Sequence, residues 1–208
     1  MKKTTIIGLV VLLALAMGQN LGADEGAIKV GVNFGSVTNS GEPTIFGNPQ
    51  ESRFLTGLSV GVLYRFSLLE WLSIQPELLY VENGYQQKVP GTIGTTTQKI
   101  KLNYLEIPLV FRIQLNKTLY ITVGPYIGFR LAAKLQTKED TLASEKFDLD
   151  AAEKRDKGWI GGLGLILDDD ASAFVEIRYK LGSSGILDMP GFPVQKNSCL
   201  SICLGYGF

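Results

Sequence analysis

The chain has 208 residues, enough for one domain, and its 20 Lys+Arg balance its 20 Asp+Glu, so no net charge points to nucleic acid or an acidic substrate. It contains no histidine. That removes the usual general base near neutral pH and a common metal ligand, and with them Ser-His and Cys-His hydrolases and His-ligated zinc sites.

Residues 1–18, "MKKTTIIGLVVLLALAMG", read as a signal peptide. Lys2 and Lys3 supply the positive start, the apolar run at 6–17 is short for a bilayer span, and Ala16 and Gly18 are small enough for cleavage. A cut after Ala23 is the alternative. The mature domain, 19–208, is expected to be exported.

From there the sequence alternates with a period of two. Eight strands are predicted, at about 27–37, 53–66, 71–87, 98–115, 118–133, 158–168, 172–182 and 197–208. The first, "AIKVGVNFGSV", and the sixth, "GWIGGLGLIL", alternate less cleanly because of their glycines. Strand two sets Phe54, Leu58, Val60, Val62, Tyr64 and Phe66 against Gly57, Ser59, Gly61 and Arg65. In strand three Leu72, Ile74, Pro76, Leu78 and Tyr80 oppose Ser73, Gln75 and Glu77. Strand four opposes Leu105, Ile107, Leu109, Phe111 and Ile113 to Tyr104, Glu106, Arg112 and Gln114. Strand five puts Ile121, Val123, Ile127, Phe129 and Leu131 opposite Tyr120, Thr122, Gly124, Gly128 and Arg130. Strand seven sets Val175, Ile177, Tyr179 and Leu181 against Glu176, Arg178 and Lys180.

The connections carry the second signal. Those after strands two, four and six are brief ("SLLE", "NK", "DDDA"), whereas 38–52, 88–97, 134–157 and 183–196 are long and polar. Short turns alternating with long loops are the pattern of an outer-membrane barrel, and an even strand count returns both termini to the short-turn, periplasmic side. The fold class expected is all-β: an eight-stranded antiparallel transmembrane β-barrel, an up-and-down meander.

A soluble lipocalin-like barrel alternates in the same way, so the polar face decides between them. Arg65, Glu77, Glu106, Arg112, Arg130, Glu176 and Arg178 each sit between apolar or aromatic neighbours. In a membrane barrel the apolar face meets lipid and such charges line the lumen. The Gly- and Ser-rich inward face leaves room for long Arg side chains. Trp71, Tyr80, Tyr120, Trp159 and Tyr179 fall near strand ends, where membrane interfaces collect aromatics. These seven charges are expected to form an ion-paired plug, because eight strands enclose only enough space for side chains.

The last ten residues, "CLSICLGYGF", put Leu200, Ile202, Leu204, Tyr206 and Phe208 on one face and small residues on the other. This strand must pair with the first, since hydrocarbon tolerates no open edge. Tyr206 and the terminal Phe208 are the candidate assembly signal. Cys199 and Cys203 share a face of it but lie about 13 Å apart at ~3.3 Å per residue, too far for a disulfide.

Two segments carry a family resemblance. "YLEIPL" at 104–109 and "ITVGPYIGFRL" at 121–131 resemble the paired central strands of the PorT-like outer-membrane β-barrel proteins. The resemblance implies a small exported barrel in the outer membrane of a Gram-negative bacterium and, through one member, a link to protein secretion. The acids of 134–157 lack calcium-loop spacing, and no phosphate loop, zinc spacing or nucleophile elbow occurs. No catalytic residue, metal or cofactor is therefore expected. The function expected is display of surface loops for binding or envelope structure, with secretion accessory and narrow pore as alternatives. The partners expected are outer-membrane lipid, the assembly machinery during biogenesis, and a surface or secretion protein.

Overall fold

The computed structural model describes residues 25–39, 53–91, 94–139, 145–148, 154–168, 172–185 and 195–208. The signal peptide and its cut site lie outside them, as do most of the predicted loops 38–52 and 183–196. The strands are β1 (Glu25–Asn39), β2 (Arg53–Leu69), β3 (Leu72–Gly91), β4 (Gly94–Gln114), β5 (Leu119–Glu139), β6 (Glu145–Asp148), β7 (Arg155–Ile166), β8 (Ala173–Gly185) and β9 (Gln195–Gly207).

All eight long strands pair antiparallel with their neighbours, and β9 returns to pair with β1 from Ala27↔Gly207 to Asn39↔Gln195. The barrel is closed, so each of the eight long strands pairs with two of the others. The short β6 was not expected from the sequence. It pairs with β5 through Lys134↔Asp148 to Thr137↔Glu145, continuing the edge that β7 leaves above Phe129↔Arg155.

The predicted loop 88–97 is largely strand: β3 and β4 run on to the pair Gly91↔Gly94. Likewise β5 extends to Glu139 and β7 begins at Arg155, which shortens the predicted loop 134–157 at both ends. The reason is polarity. "GTTTQK" is rich in β-branched threonine, which favours extended backbone, but neither of its faces is apolar, so it carries no alternation to read.

Side-chain direction follows the expected register. Leu109 is 41% exposed on the outer wall while Val110 beside it is fully buried. Val30, Leu58, Ile107, Val123, Leu163, Ile177 and Leu204 are exposed in the same way. They form an apolar belt, bordered on the short-turn side by Trp71 and Phe208 and on the other by Leu131, Trp159 and Leu181. Beyond that upper border the outward positions become polar, with Lys101, Lys134, Lys157 and Ser183 exposed.

The turns on the lower side are tied by side chains. Asn116 Oδ1 accepts from the N–H groups of Thr118 and Leu119 at 2.9 and 2.8 Å. The Ser172 hydroxyl donates to Asp168 at 2.6 Å, which with the Ala173 N–H holds that half-buried carboxyl below the usual carboxylate range.

One of the five aromatics expected at the interface is not there: Tyr120 lies on an inward position of β5 and is fully buried in the lumen. Tyr80 keeps the outward register of Val60 and Leu105 and is covered by its neighbours, its hydroxyl donating to Glu82 and accepting from Asn103. Tyr120 packs edge-on to Phe174, with ring centroids 6.5 Å apart, in an apolar cluster with Ala27 and Leu63. The small inward residues make this layer possible. A Cβ on Gly164 would come within 2.1 Å of the Tyr120 ring, and one on Gly205 within 2.0 Å of the Phe174 ring. The glycine-rich face thus makes room for aromatic rings as well as for arginines; a Cβ on Gly162 would meet Arg178 Cγ at 2.7 Å.

Candidate functional site

Charged residues sit on inward positions of the wall because alternation leaves them no other place. Lys29 on β1, Glu77 on β3, and Glu176 and Arg178 on β8 converge from three strands. Glu77 accepts from both Arg178 terminal nitrogens at 2.8 Å, from Lys29 Nζ at 2.8 Å and from Gln75 Nε2 at 2.6 Å. Glu176 Oε2 faces Lys29 at 3.2 Å and Arg178 at 2.9 Å, while its Oε1 accepts from the Tyr120 hydroxyl at 3.0 Å. Two carboxylates and two cations therefore form a neutral quartet, each member at most 5% exposed. The forked Arg178–Glu77 contact is the strongest geometry available to such a pair.

Above the quartet Glu106 pairs with Lys180. Its partner is thus a lysine, where the sequence suggested one of the arginines. Higher again, Asp156 accepts from the Tyr126 hydroxyl at 3.0 Å and from Asn197 Nδ2 at 2.9 Å. Below the apolar cluster, Arg65 pairs with Glu25. Arg112 lies with its guanidinium 3.6 Å from the centre of the Tyr120 ring and donates to Gln114 at 3.2 Å. Arg130 is half-buried where β5 carries one extra residue, Leu131, against β4. Of the seven charges singled out from the sequence, Glu77, Glu176 and Arg178 meet directly. Glu106, Arg65 and Arg112 make separate contacts along the same lumen.

Lys29, Lys180, Glu25 and Asp156 belong to this interior and were not singled out. Lys180 was already on the polar face of its strand, and Lys29 obeys the same rule between Ile28 and Val30. The flanking glycines of β1 obscured it. Asp156 fell in a predicted loop.

The space left is small. Around Lys29, Glu106, Arg178 and Lys180 the lumen retains a void of about 30 Å³, room for about two waters. At the short-turn end lies a separate vestibule of about 840 Å³, with Arg65, Arg112 and Gln114 among its lining. Among the described residues no cluster of three or more His, Cys, Asp or Glu is placed to hold a metal ion. Cys199 and Cys203 are buried and unbridged. Tyr206 and Phe208 are 64% and 57% exposed on the outer wall, and the Phe208 N–H donates to the Gly26 carbonyl at 2.8 Å.

Solved structures share this architecture. Neisserial surface protein A matches with a TM-score of 0.54 at 10% identity, covering 90% of this chain and all of that one (100%). The Yersinia pestis attachment protein Ail, solved with the heparin analogue sucrose octasulfate, matches with a TM-score of 0.47 at 14% identity, covering 88% and 98%. OprG of Pseudomonas aeruginosa gives a TM-score of 0.39 at 14% identity, covering 89% and 96%. At 10% identity the likeness to Neisserial surface protein A is one of fold. No curated protein matches the chain. A family model described as the outer membrane protein beta-barrel domain matches residues 25–187, most of the chain, and together with the closed barrel and its outward apolar belt this decides the assignment. The chain belongs to the outer membrane protein β-barrel domain family, and the protein is an outer-membrane β-barrel.

Proposed function

We propose that the protein is a non-enzymatic, plugged barrel that holds a β-rich extension and its loops above the outer membrane for binding or envelope structure. One observation carries this reading. The middle of the lumen is filled by side chains, while β3, β4 and β5 continue past the apolar belt and recruit β6. A wall that serves only as a pore needs no such extension. In this reading the signal peptide is removed, the short turns and both termini face the periplasm, and lipid is the constant partner of the belt. Surface proteolysis of intact cells tests the orientation: cleavage is expected within 140–144 or 186–194, with the turn at 116–118 protected. Deleting 140–153 should abolish partner binding or the envelope phenotype while leaving a heat-modifiable barrel.

A second reading is an accessory role in protein secretion, acting from the periplasmic side. It is supported by the PorT-like segments at 104–109 and 121–131 and by the vestibule at that end. A secretion defect that persists when the surface loops are removed would favour it over loop display.

A further inference from the structure

Among the described residues Arg112 is the one buried cation of the lumen that pairs directly with no carboxylate. It is 3% exposed, yet its neighbours are the Tyr120 ring and the Gln114 amide, both neutral, and no carboxylate among the described residues lies within ion-pair distance. Arg65, which opens into the same vestibule, is 7% exposed and spends one terminal nitrogen on Glu25. Its Nε and second terminal nitrogen are buried without a hydrogen-bond partner. A buried guanidinium without a counter-charge is costly to hold, and planar N–H forks are the groups that suit carboxylate and phosphate oxygens.

From these we infer that the vestibule at the short-turn end is a binding site for an oxyanion, a phosphate or carboxylate group, held by Arg112 with the charge of Arg65 beside it. The volume of about 840 Å³ exceeds what a bare ion fills, so the group is borne on a larger molecule that enters from the side of the termini. Lys117 at the mouth adds a third cation. Glu70 and Asp168 line the same mouth and limit how much additional negative charge the ligand carries outside its anchoring group.

The apolar cluster of Ala27, Leu63, Tyr120 and Phe174 packs at the inner end, so the site is a blind cup. It differs in this from the quartet, whose charges are mutually satisfied and offer a ligand little.

The test uses the full mature barrel folded in detergent. Inorganic phosphate and succinate are titrated at ionic strength held constant with sodium chloride, and binding is read by calorimetry and by the side-chain Nε–H signals of the arginines. The inference expects saturable binding of at least one probe, with the Arg65 and Arg112 signals moving and that of Arg178 unmoved. Arg112→Gln should weaken binding at least tenfold, and Arg112→Lys by less, since it keeps the charge and loses the fork. Preference for phosphate or for succinate identifies which oxyanion the cup suits. Absence of saturable binding by wild type, or undiminished binding by a folded Arg112→Gln barrel, would overturn the inference. Should that variant fail to fold, the wild-type arginine signals decide: no movement beyond that given by chloride overturns it equally.

Discussion

Glu77 anchors cations from two other strands, and its loss would strand both. Glu77→Gln removes the charge while keeping the shape, leaving Lys29 and Arg178 with Glu176 alone. The expected cost is on the order of 3–5 kcal/mol, the penalty of breaking a buried pair, read as a lowered denaturant midpoint of the barrel in detergent. Glu106→Gln strands only Lys180 and should cost less. An unchanged midpoint for Glu77→Gln would show that the quartet fills space without adding stability. At the outer wall the scale is set by lipid instead. Leu109→Arg places a charge in the apolar belt at a cost of roughly 2–4 kcal/mol near the bilayer midplane. Val110→Arg, one residue on, crowds a filled lumen, and a spin label there should report a restricted interior where one at 109 reports lipid. Equal lipid exposure at both would refute the register. These faces were legible because a charge such as Glu106 between Leu105 and Ile107 breaks the apolar run in only one way. Pairing was not legible. Which cation meets Glu77 depends on the stagger of β1, β3 and β8 around the barrel, and no local pattern records it.

At the scale of the strand, β9 and β7 show why an inward face of small residues persists. Gly205 lies under Phe174, and Gly164 under Tyr120, with no space for a Cβ. Gly205→Ala is expected to cost about 1–3 kcal/mol by overpacking, and pairing it with Phe174→Leu should restore part of that loss. A double-mutant cycle with no coupling would remove the contact from the explanation. The sequence announced the small face but not its use, since ring positions across the lumen are non-local. Gly84 is a different case. Its φ of +153° and a would-be Cβ 2.1 Å from the Ile100 carbonyl tie glycine to that point of β3, so Gly84→Ala should cost about 1–3 kcal/mol. The same strand scale governs the terminus. Phe208 is exposed on the outer wall, its N–H bonds the Gly26 carbonyl, and its ring lies over Gly26. Phe208→Ala is therefore expected to refold into micelles almost normally while reaching the outer membrane poorly in cells. Equal yields with wild type in both settings would make the terminal aromatic incidental.

Across the whole molecule the lumen is sealed twice, by layers of opposite chemistry. The ion-paired quartet closes the middle, and the apolar cluster of Ala27, Leu63, Tyr120 and Phe174 closes the way to the vestibule. The eightfold count and the alternating connections, both readable from the chain, already implied an interior no wider than side chains. The second seal was not readable, because Leu63 and Phe174 look like breaks in the polar face until their partners are known. The two layers make a sharper expectation than a plug alone. Wild-type protein in planar bilayers should show no steady conductance. Emptying the quartet with Lys29→Ala, Glu77→Ala, Glu176→Ala and Arg178→Ala should leave it silent, because Phe174 and Tyr120 still stand below. Phe174→Ala alone should also be silent, because the quartet stands above. Only the combined variant, shown to be folded by different migration of boiled and unboiled protein on a denaturing gel, should pass small currents. Stable ion-selective currents from wild type would overturn the plug, and currents from either partial variant would show that one layer alone carries the seal.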